Sequence, residues 1–273
     1  MIDVLSIILF VFGLFFIGFF IYSVSKQNNS LSAPFSVLSL AIAIYIIGYS
    51  LELQAENLKM IEFFLNFEYF GTSFIPAFWF IVAYKYHYKK KVPIKFLIPI
   101  IAIAILTLFF RVTNDYHHLI YTNLSVIHAY GHVLAVSSKG LWYAVYMGYY
   151  FTALIFGLII YFRDWRKCGY KIKSQSFWLF FSPLLPTVLL MVYLFGSAPL
   201  MLDLTPFGLT ISACMIFIAL FRYDFLELNE MIKDITFLEI SEGILVVDEQ
   251  NRLVDFNKAG NRFFQWVDKN MIG

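Results

Sequence analysis

The sequence predicts an all-α membrane protein: a bundle of seven transmembrane helices with its N-terminus outside, followed by a short, incomplete cytoplasmic segment of α and β structure. The composition is 60% hydrophobic and only 14% charged, whereas a soluble domain carries about 25% charged residues. Seven apolar runs approach the roughly 20 residues that a helix needs to cross a bilayer. Basic residues also concentrate in alternate loops between these runs.

Each apolar run is assigned to one helix. The first lacks a basic leading segment and a cleavage site, so it is interpreted as a retained span rather than a signal peptide. The fourth is the shortest, and Pro99 is expected in its first turn, where proline is tolerated. Pro76 in the third run, and Pro183 and Pro186 in the sixth, are expected to bend their helices. The runs are residues 4–24, 34–53, 63–84, 95–110, 141–162, 177–195 and 204–221.

Lysine and arginine predict a cytoplasmic C-terminus. Cytoplasmic loops carry an excess of these residues. The loops on the other side hold only Lys59, Arg111 and Lys139. An odd number of spans requires the same orientation. The basic residues of the predicted cytoplasmic loops are Lys85, Lys89, Lys90, Lys91, Lys95, Arg163, Arg166, Lys167, Lys171 and Lys173.

The longest loop on the predicted outer side covers residues 111–140. Its sequence predicts two short strands around a Tyr-Gly turn. Four histidines lie in this loop: His117, His118, His128 and His132. Imidazole is a common metal ligand, but this spacing matches no zinc signature, so hydrogen bonding within the loop is favoured and a pH-sensing role stays open.

Ionisable residues within a bilayer are costly, and each is therefore a functional candidate. Glu68 in the third run is the strongest, and it is flanked by Asn66 and Tyr69. It is expected either to line a pocket that opens outward or to pair with a tyrosine or amide inside the bundle. Glu52 and Glu62 lie closer to the predicted outer boundary.

Asp203 begins the seventh run as Asp-Leu-Thr-Pro. Aspartate favours the N-cap position and proline the first helical turn, so capping is preferred over ligand contact. The other candidate ligand contacts are Asn114, His117 and His118. No nucleophile–base pair or metalloprotease pattern occurs, so no catalytic residue, cofactor or metal is expected.

The cytoplasmic end divides into two predicted parts. Residues 222–240 carry apolar side chains at helical spacing, which predicts a linker helix that either pairs with a second copy or packs on the next domain. Residues 241–273 predict two strands and a helix, too little structure to bury a core alone. The linker seam consists of Phe225, Leu228, Ile232, Ile235 and Leu238.

The chain resembles a known family over nearly its whole length. Residues 1–221 are similar to the N-terminal seven-transmembrane region of bacterial histidine kinases, and residues 242–259 resemble the opening of a PAS domain. The supporting motifs are Phe67-Glu68-Tyr69-Phe70-Gly71 before Pro76, Thr113-Asn114 with His117, His118 and Tyr121, Asp203-Leu204-Thr205-Pro206, and Arg222-Tyr223.

The resemblance implies a sensory input module for two-component signal transduction in a bacterial plasma membrane. Such regions feed a PAS domain and then a histidine kinase or diguanylate cyclase, and they work as dimers. The ligand is expected to be a small extracellular or membrane-soluble molecule. No kinase or cyclase domain follows within these 273 residues, so no enzymatic activity is expected of them. A net charge of +2 gives no reason to expect a nucleic-acid partner.

Two other classes were weighed against this interpretation. A small transporter or channel would need an internal repeat or interrupted, polar midplane helices, and the sequence has no repeat. A retinal protein would need a lysine in the last span, and residues 204–221 contain none.

Overall fold

The computed structural model describes residues 2–26, 29–129, 131–167, 170–195, 202–223, 226, 242–247, 253–257 and 259–260. The chain divides into two compact units, Met1–Leu226 and Glu227–Gly273. The predicted linker seam (Phe225, Leu228, Ile232, Ile235 and Leu238) lies outside the described residues.

The first unit is mostly helical. Its elements are α1 (Ile2–Ser25), α2 (Ser32–Glu52), α3 (Leu58–Thr72), α4 (Ile75–Tyr88), α5 (Ile94–Val112), α6 (Asn114–His117), β1 (Tyr121–Ala129), β2 (His132–Lys139), α7 (Leu141–Lys167), α8 (Tyr170–Phe181), α9 (Leu184–Phe195) and α10 (Thr205–Phe221). The all-α membrane class predicted from composition agrees with this architecture.

Five stretches are long and apolar enough to cross a membrane: Ile2–Ser25, Ser32–Glu52, Ile94–Val112, Leu141–Arg166 and Lys173–Phe195. Thr205–Phe221 is a shorter apolar helix. Only 17% of the most apolar window of α5 is buried inside the protein, against 72% for α2. The apolar outer faces therefore require lipid as their solvent, and α2 is the central helix of the bundle.

Small residues allow α2 to occupy this central position. It contacts α1, α3, α4 and α10. A Cβ atom at Gly71 of α3 would collide with the backbone carbonyl of Ala41, and one at Gly48 of α2 would collide with the side chain of Glu68. Because lipid tails are as apolar as leucine, such close backbone packing is a main source of helix association in membranes.

The structure interrupts the predicted third and sixth spans, which corrects the expectation of two continuous bent helices. A turn at Ser73 and Phe74 separates α3 from α4, and a turn at Ser182 and Pro183 separates α8 from α9. Pro76 then lies at the start of α4. Proline lacks the backbone donor but fits the first helical turn, so it favours a new start over a bend.

The fourth span is confirmed as α5, with one correction. The helix begins at Ile94, so Pro99 lies inside it rather than in its first turn. Proline has no backbone N–H, so the carbonyl of Lys95, four residues earlier, loses its hydrogen-bond donor. This carbonyl lies close to the start of the helix, so only the first turns are disturbed.

The predicted hairpin is confirmed and is longer than expected. Strands β1 and β2 pair antiparallel from Tyr121 opposite Lys139 to Ala129 opposite His132. Gly131 in the turn has a φ of 79°, which glycine adopts without strain. Side chains of both strands pack on the first part of α3 through Val133 and Leu65, so the hairpin covers one end of the bundle.

In the second unit, β3 (Leu245–Val247) and β4 (Leu253–Phe256) pair antiparallel, as the sequence predicted. Asn257 is fully buried beside them. Its side chain accepts hydrogen bonds from the amides of Ile244 at 2.9 Å and Gly260 at 2.6 Å. One asparagine therefore links the start of the hairpin to the residues that follow it.

We expect Gly71→Ala to destabilise the bundle by about 1–3 kcal/mol, because the added methyl group would force α2 and α3 apart. Thermal unfolding of the protein in detergent measures the effect. Gly18→Ala is the matched control, since a Cβ at Gly18 meets nothing within 4 Å. Equal stabilities of the two variants would contradict the packing argument.

Candidate functional site: a tyrosine-lined cavity under the hairpin

A cavity of about 140 Å³ lies beneath the β1–β2 hairpin. Its walls come from α2, α3, the hairpin, α7, α9 and the residues that lead into α10. The titratable lining residues are eight tyrosines, three acids and one lysine: Tyr45, Tyr49, Tyr69, Tyr121, Tyr143, Tyr146, Tyr150, Tyr193, Glu52, Glu68, Asp203 and Lys139. Such a concentration of polar groups in an apolar bundle makes this cavity the candidate functional site.

Two carboxyl groups face each other in this cavity. Glu52 ends α2 and Glu68 lies on α3, and their side chains are within hydrogen-bonding reach of one another. They are only 8% and 4% exposed. Within the described part of the chain, Glu52 Oε2 and Glu68 Oε1 have no hydrogen-bond partner. A buried carboxylate without a partner is unfavourable, so this pair requires a proton or a positively charged group.

Asp203 connects the cavity to α10. Its Oδ2 accepts a 2.7 Å hydrogen bond from the hydroxyl of Tyr45, and its Oδ1 accepts one of 2.9 Å from the amide of Thr205. The N-cap residue is Leu204, so the prediction that Asp203 is the N-cap was wrong by one position. The side chain still satisfies the first amide of the helix, while its other oxygen faces a cavity residue.

Lys139 extends from the end of β2 into a cage of three tyrosines. Its Nζ lies 4.8 Å from the ring centres of Tyr121 and Tyr143 and 5.1 Å from that of Tyr193. It also donates to Ser137 Oγ at 3.0 Å. Burial lowers the pKa of Lys139 to about 8, although Asp203 and Glu52 oppose that shift. From the sequence, Lys139 was predicted only to lie in a loop. It is one of few basic residues on the predicted outer side, and this rarity was the feature that could have marked it as functional.

Arg111 supports the cavity from behind. It is 4% exposed at the end of α5, and its guanidinium carbon lies 5.8 Å from the ring centre of Tyr69 and 5.2 Å from that of Tyr121. The hydroxyls of these two tyrosines are 3.1 Å apart. The arginine therefore holds α3 and β1 together, with the two rings between it and the cavity.

The predicted loop residues shape the base of the hairpin instead of lining the cavity. Asn114 accepts hydrogen bonds from the amides of Ile120 and Tyr121 and donates to the Tyr121 carbonyl. His117 contacts Thr113 at 3.0 Å, and His118 ends α6 with a φ of 53°. The histidines form no metal-binding group with other ligand residues among the described positions.

Of the seven predicted ligand contacts, the structure brings Glu68, Tyr69 and Asp203 to the cavity. Asn114, His117 and His118 lie in the connection that precedes β1, and Asn66 is not a lining residue. Glu68 sits beside a second carboxyl group rather than the tyrosine or amide that was the alternative expectation. Glu52, its neighbour, was recognised in the sequence as a boundary residue only.

A second polar cluster lies at the far end of the bundle. His87 Nδ1 is 2.8 Å from Asp164 Oδ1, which joins α4 to α7. Gln175 of α8 accepts from the hydroxyl of Tyr86 at 3.2 Å and donates to the carbonyl of Tyr223 at 2.5 Å. The residues that follow α10 are thus tied to α8 by one side chain.

Comparison with known proteins assigns the chain to a family. A model of the family described as the N-terminal 7TM region of histidine kinase matches residues 8–229. The chain belongs to this family. No curated protein matches it. All the lining residues of the cavity fall inside the match, so the cavity lies within the part of the chain that the family model covers.

Family membership confirms the resemblance of the bundle that the sequence analysis described. The resemblance of residues 242–259 to a PAS domain stays a prediction. The 7TM region of histidine kinase is a multi-pass membrane protein, in agreement with its five long apolar helices.

We expect the stability of the wild type to rise relative to Lys139→Met between about pH 8 and about pH 10.5, the folded and the ordinary pKa of this lysine. The folded pKa of Lys139, about 8, is below the ordinary value of 10.5, so the unfolded chain holds the proton more tightly through this window. Deprotonation above pH 8 then removes the cost of burying the ammonium group. Thermal unfolding in detergent across this pH range measures the difference.

Lys59→Met is the control for that titration, because Lys59 is exposed at the start of α3. Its unfolding temperature should follow the wild type at every pH. Parallel profiles for Lys139→Met and the wild type would contradict the lowered pKa of the buried Lys139.

Proposed function

We propose that the chain is a sensory input module of bacterial two-component signal transduction. In this proposal a ligand enters the cavity from outside the plasma membrane and shifts the helices around it. The observation that carries the proposal is the cavity itself, which joins the hairpin to the start of α10 through Asp203. Membership in the family of N-terminal 7TM regions of histidine kinases supports it.

We assign seven spans to the bundle. They are α1, α2, α3 with α4, α5, α7, α8 with α9, and α10. Neither α3 nor α4 alone reaches the length of a span, but the two together cover one, and so do α8 and α9. The excess of lysine and arginine in alternate loops supports a cytoplasmic C-terminus and an outward-facing hairpin.

The signal would leave the bundle through the end of α10. Asp203 bonds the first amide of this helix beside the cavity, and Gln175 bonds the carbonyl of Tyr223 just after its last residue. A ligand that binds one arrangement of α10 more tightly than another would shift the population between them. The side chains of Asp203 and Gln175 thus hold the two ends of α10. A rearrangement of this helix would have to break these hydrogen bonds.

We further propose that residues 241–273 open a PAS-type domain and that the chain works as a dimer. Two observations support an ordered start of a domain. Strands β3 and β4 are paired, and the buried Asn257 bonds both the start of this hairpin and the residues that follow it. We assign no catalytic activity to these residues; the signal would act on an output domain.

Fusing the chain to a histidine kinase output domain with a transcriptional reporter tests the transmission step. We expect Gln175→Leu to change the basal output several fold, because the bond to the Tyr223 carbonyl is lost and the exit of α10 is released. Gln54→Leu is the control, since the side chain of Gln54 bonds Asp3, an exposed residue at the other end of the bundle. Equal output from both variants would contradict transmission through this contact.

The same fusion tests the cavity. We expect Glu68→Gln to shift the midpoint of the response to an active stimulus by about tenfold, equivalent to about 1.4 kcal/mol of coupling. Glu62→Gln, on the same helix but outside the cavity, should keep the wild-type midpoint. An unchanged midpoint in Glu68→Gln would count against the cavity as the sensory site. Solute flux through liposomes containing the protein would instead support a transporter.

A further inference from the structure

The charges that line the cavity favour a positively charged ligand. Three carboxyl groups line it, and Lys139 is the one cationic side chain among the lining residues that the structure describes. Arg111 also contributes positive charge, but the rings of Tyr69 and Tyr121 lie over its guanidinium group. An anion entering the cavity would meet the carboxyl groups of Glu52, Glu68 and Asp203 directly.

The carboxyl pair has unfilled capacity to bind such a ligand. Glu52 and Glu68 are each more than nine-tenths buried. Each has one oxygen that bonds nothing in the described part of the protein, and both residues line the cavity. An ammonium group placed between them would replace the missing partner and offset the cost of burial.

The tyrosine walls are suited to alkylammonium groups, and the protein itself demonstrates this. The side-chain ammonium of Lys139 lies 4.8–5.1 Å from the centres of three tyrosine rings, and it also donates to the hydroxyl of one of them, Tyr193, at 3.3 Å. Aromatic cages of this kind recognise quaternary and alkylated ammonium ions through the negative faces of their rings. Five further tyrosines line the rest of the cavity: Tyr45, Tyr49, Tyr69, Tyr146 and Tyr150.

We propose that the cavity under the hairpin binds a small organic cation, with its charged nitrogen beside Glu52 and Glu68 and its alkyl groups against the tyrosine rings. This inference rests on the proposed function, because it names the chemical class that the sensory cavity takes. The volume of about 140 Å³ limits the ligand to a small molecule, since a cavity of about 150 Å³ accepts benzene.

An inorganic cation fits this site less well. Calcium takes about 6–8 oxygen ligands at short range, whereas the described residues hold no group of three or more His, Cys, Asp or Glu side chains arranged for a metal. Tyrosine rings form most of the polar wall, and each presents an aromatic face and a single hydroxyl group to a ligand. These features bind a bulky, weakly hydrated cation better than a compact one.

Choline and its uncharged carbon isostere, 3,3-dimethylbutan-1-ol, provide a direct test, because they share a shape and differ in charge. Binding of each to the purified full chain in detergent is measured by isothermal titration calorimetry at constant ionic strength, with tetramethylammonium and methylammonium as further cations. We expect at least one of the cations to bind, and choline to bind roughly tenfold or more tightly than the isostere.

Glu68→Gln and Glu52→Gln should each weaken cation binding roughly tenfold, while Glu62→Gln keeps the wild-type affinity. Elution volume and helical circular dichroism identify a variant that fails to fold. If one glutamate variant fails to fold, the binding measured with the other one decides the test. Equal binding of choline and the isostere, undiminished binding in a folded glutamate variant, or no binding of any cation would each overturn the inference.

These measurements separate the inference from the proposed function. Cation binding without any change in the output of the fusion protein would support the ligand class and count against a sensory role. If the fusion protein responds to another stimulus but the chain binds none of the cations, the result would support the sensory role and overturn the proposed ligand class.

Discussion

The close approach of α2 and α3 is the constraint on which the cavity depends. Glycines at positions 48 and 71 remove the side chains that would separate the two backbones. Only at this separation do the carboxyl groups of Glu52 and Glu68 come within reach of each other. In a membrane, where burial of apolar surface gives little advantage to one helix pairing over another, this steric fit has to select the partner.

Tyrosine rings contact two cationic side chains at the cavity, Arg111 and Lys139. Arg111 from α5 and Lys139 from β2 both lie over tyrosine rings, and Tyr121 is shared between them. Rings can stabilise a cation in a poorly solvated place without consuming a carboxylate. Glu52 and Glu68 therefore each keep one oxygen without a hydrogen-bond partner in the described part of the protein, while the hairpin is held by Asn114 and by these ring contacts.

The bundle contains two interrupted helices near the cavity and a polar cluster at its far end. The turns between α3 and α4 and between α8 and α9 break the hydrogen-bonded ladders near the cavity. Ile75 and Pro186, beside these turns, line the cavity itself. At the far end, Gln175 bonds the carbonyl of Tyr223. The bundle thus combines a continuous central helix, α2, with divided helices around it.

The sequence predicted the membrane class, the apolar helices and the hairpin, because hydrophobic run length and strand alternation are local properties. It also identified Glu68 and Asp203, since an ionisable group in an apolar run is visible without a structure. Only the tertiary structure decided that Glu52 pairs with Glu68, that Lys139 enters a tyrosine cage, and that the histidines stay outside the cavity. Those outcomes depend on which helices and strands are neighbours, which no local pattern sets, and the pairing of Glu52 with Glu68 depends also on close packing at two glycines.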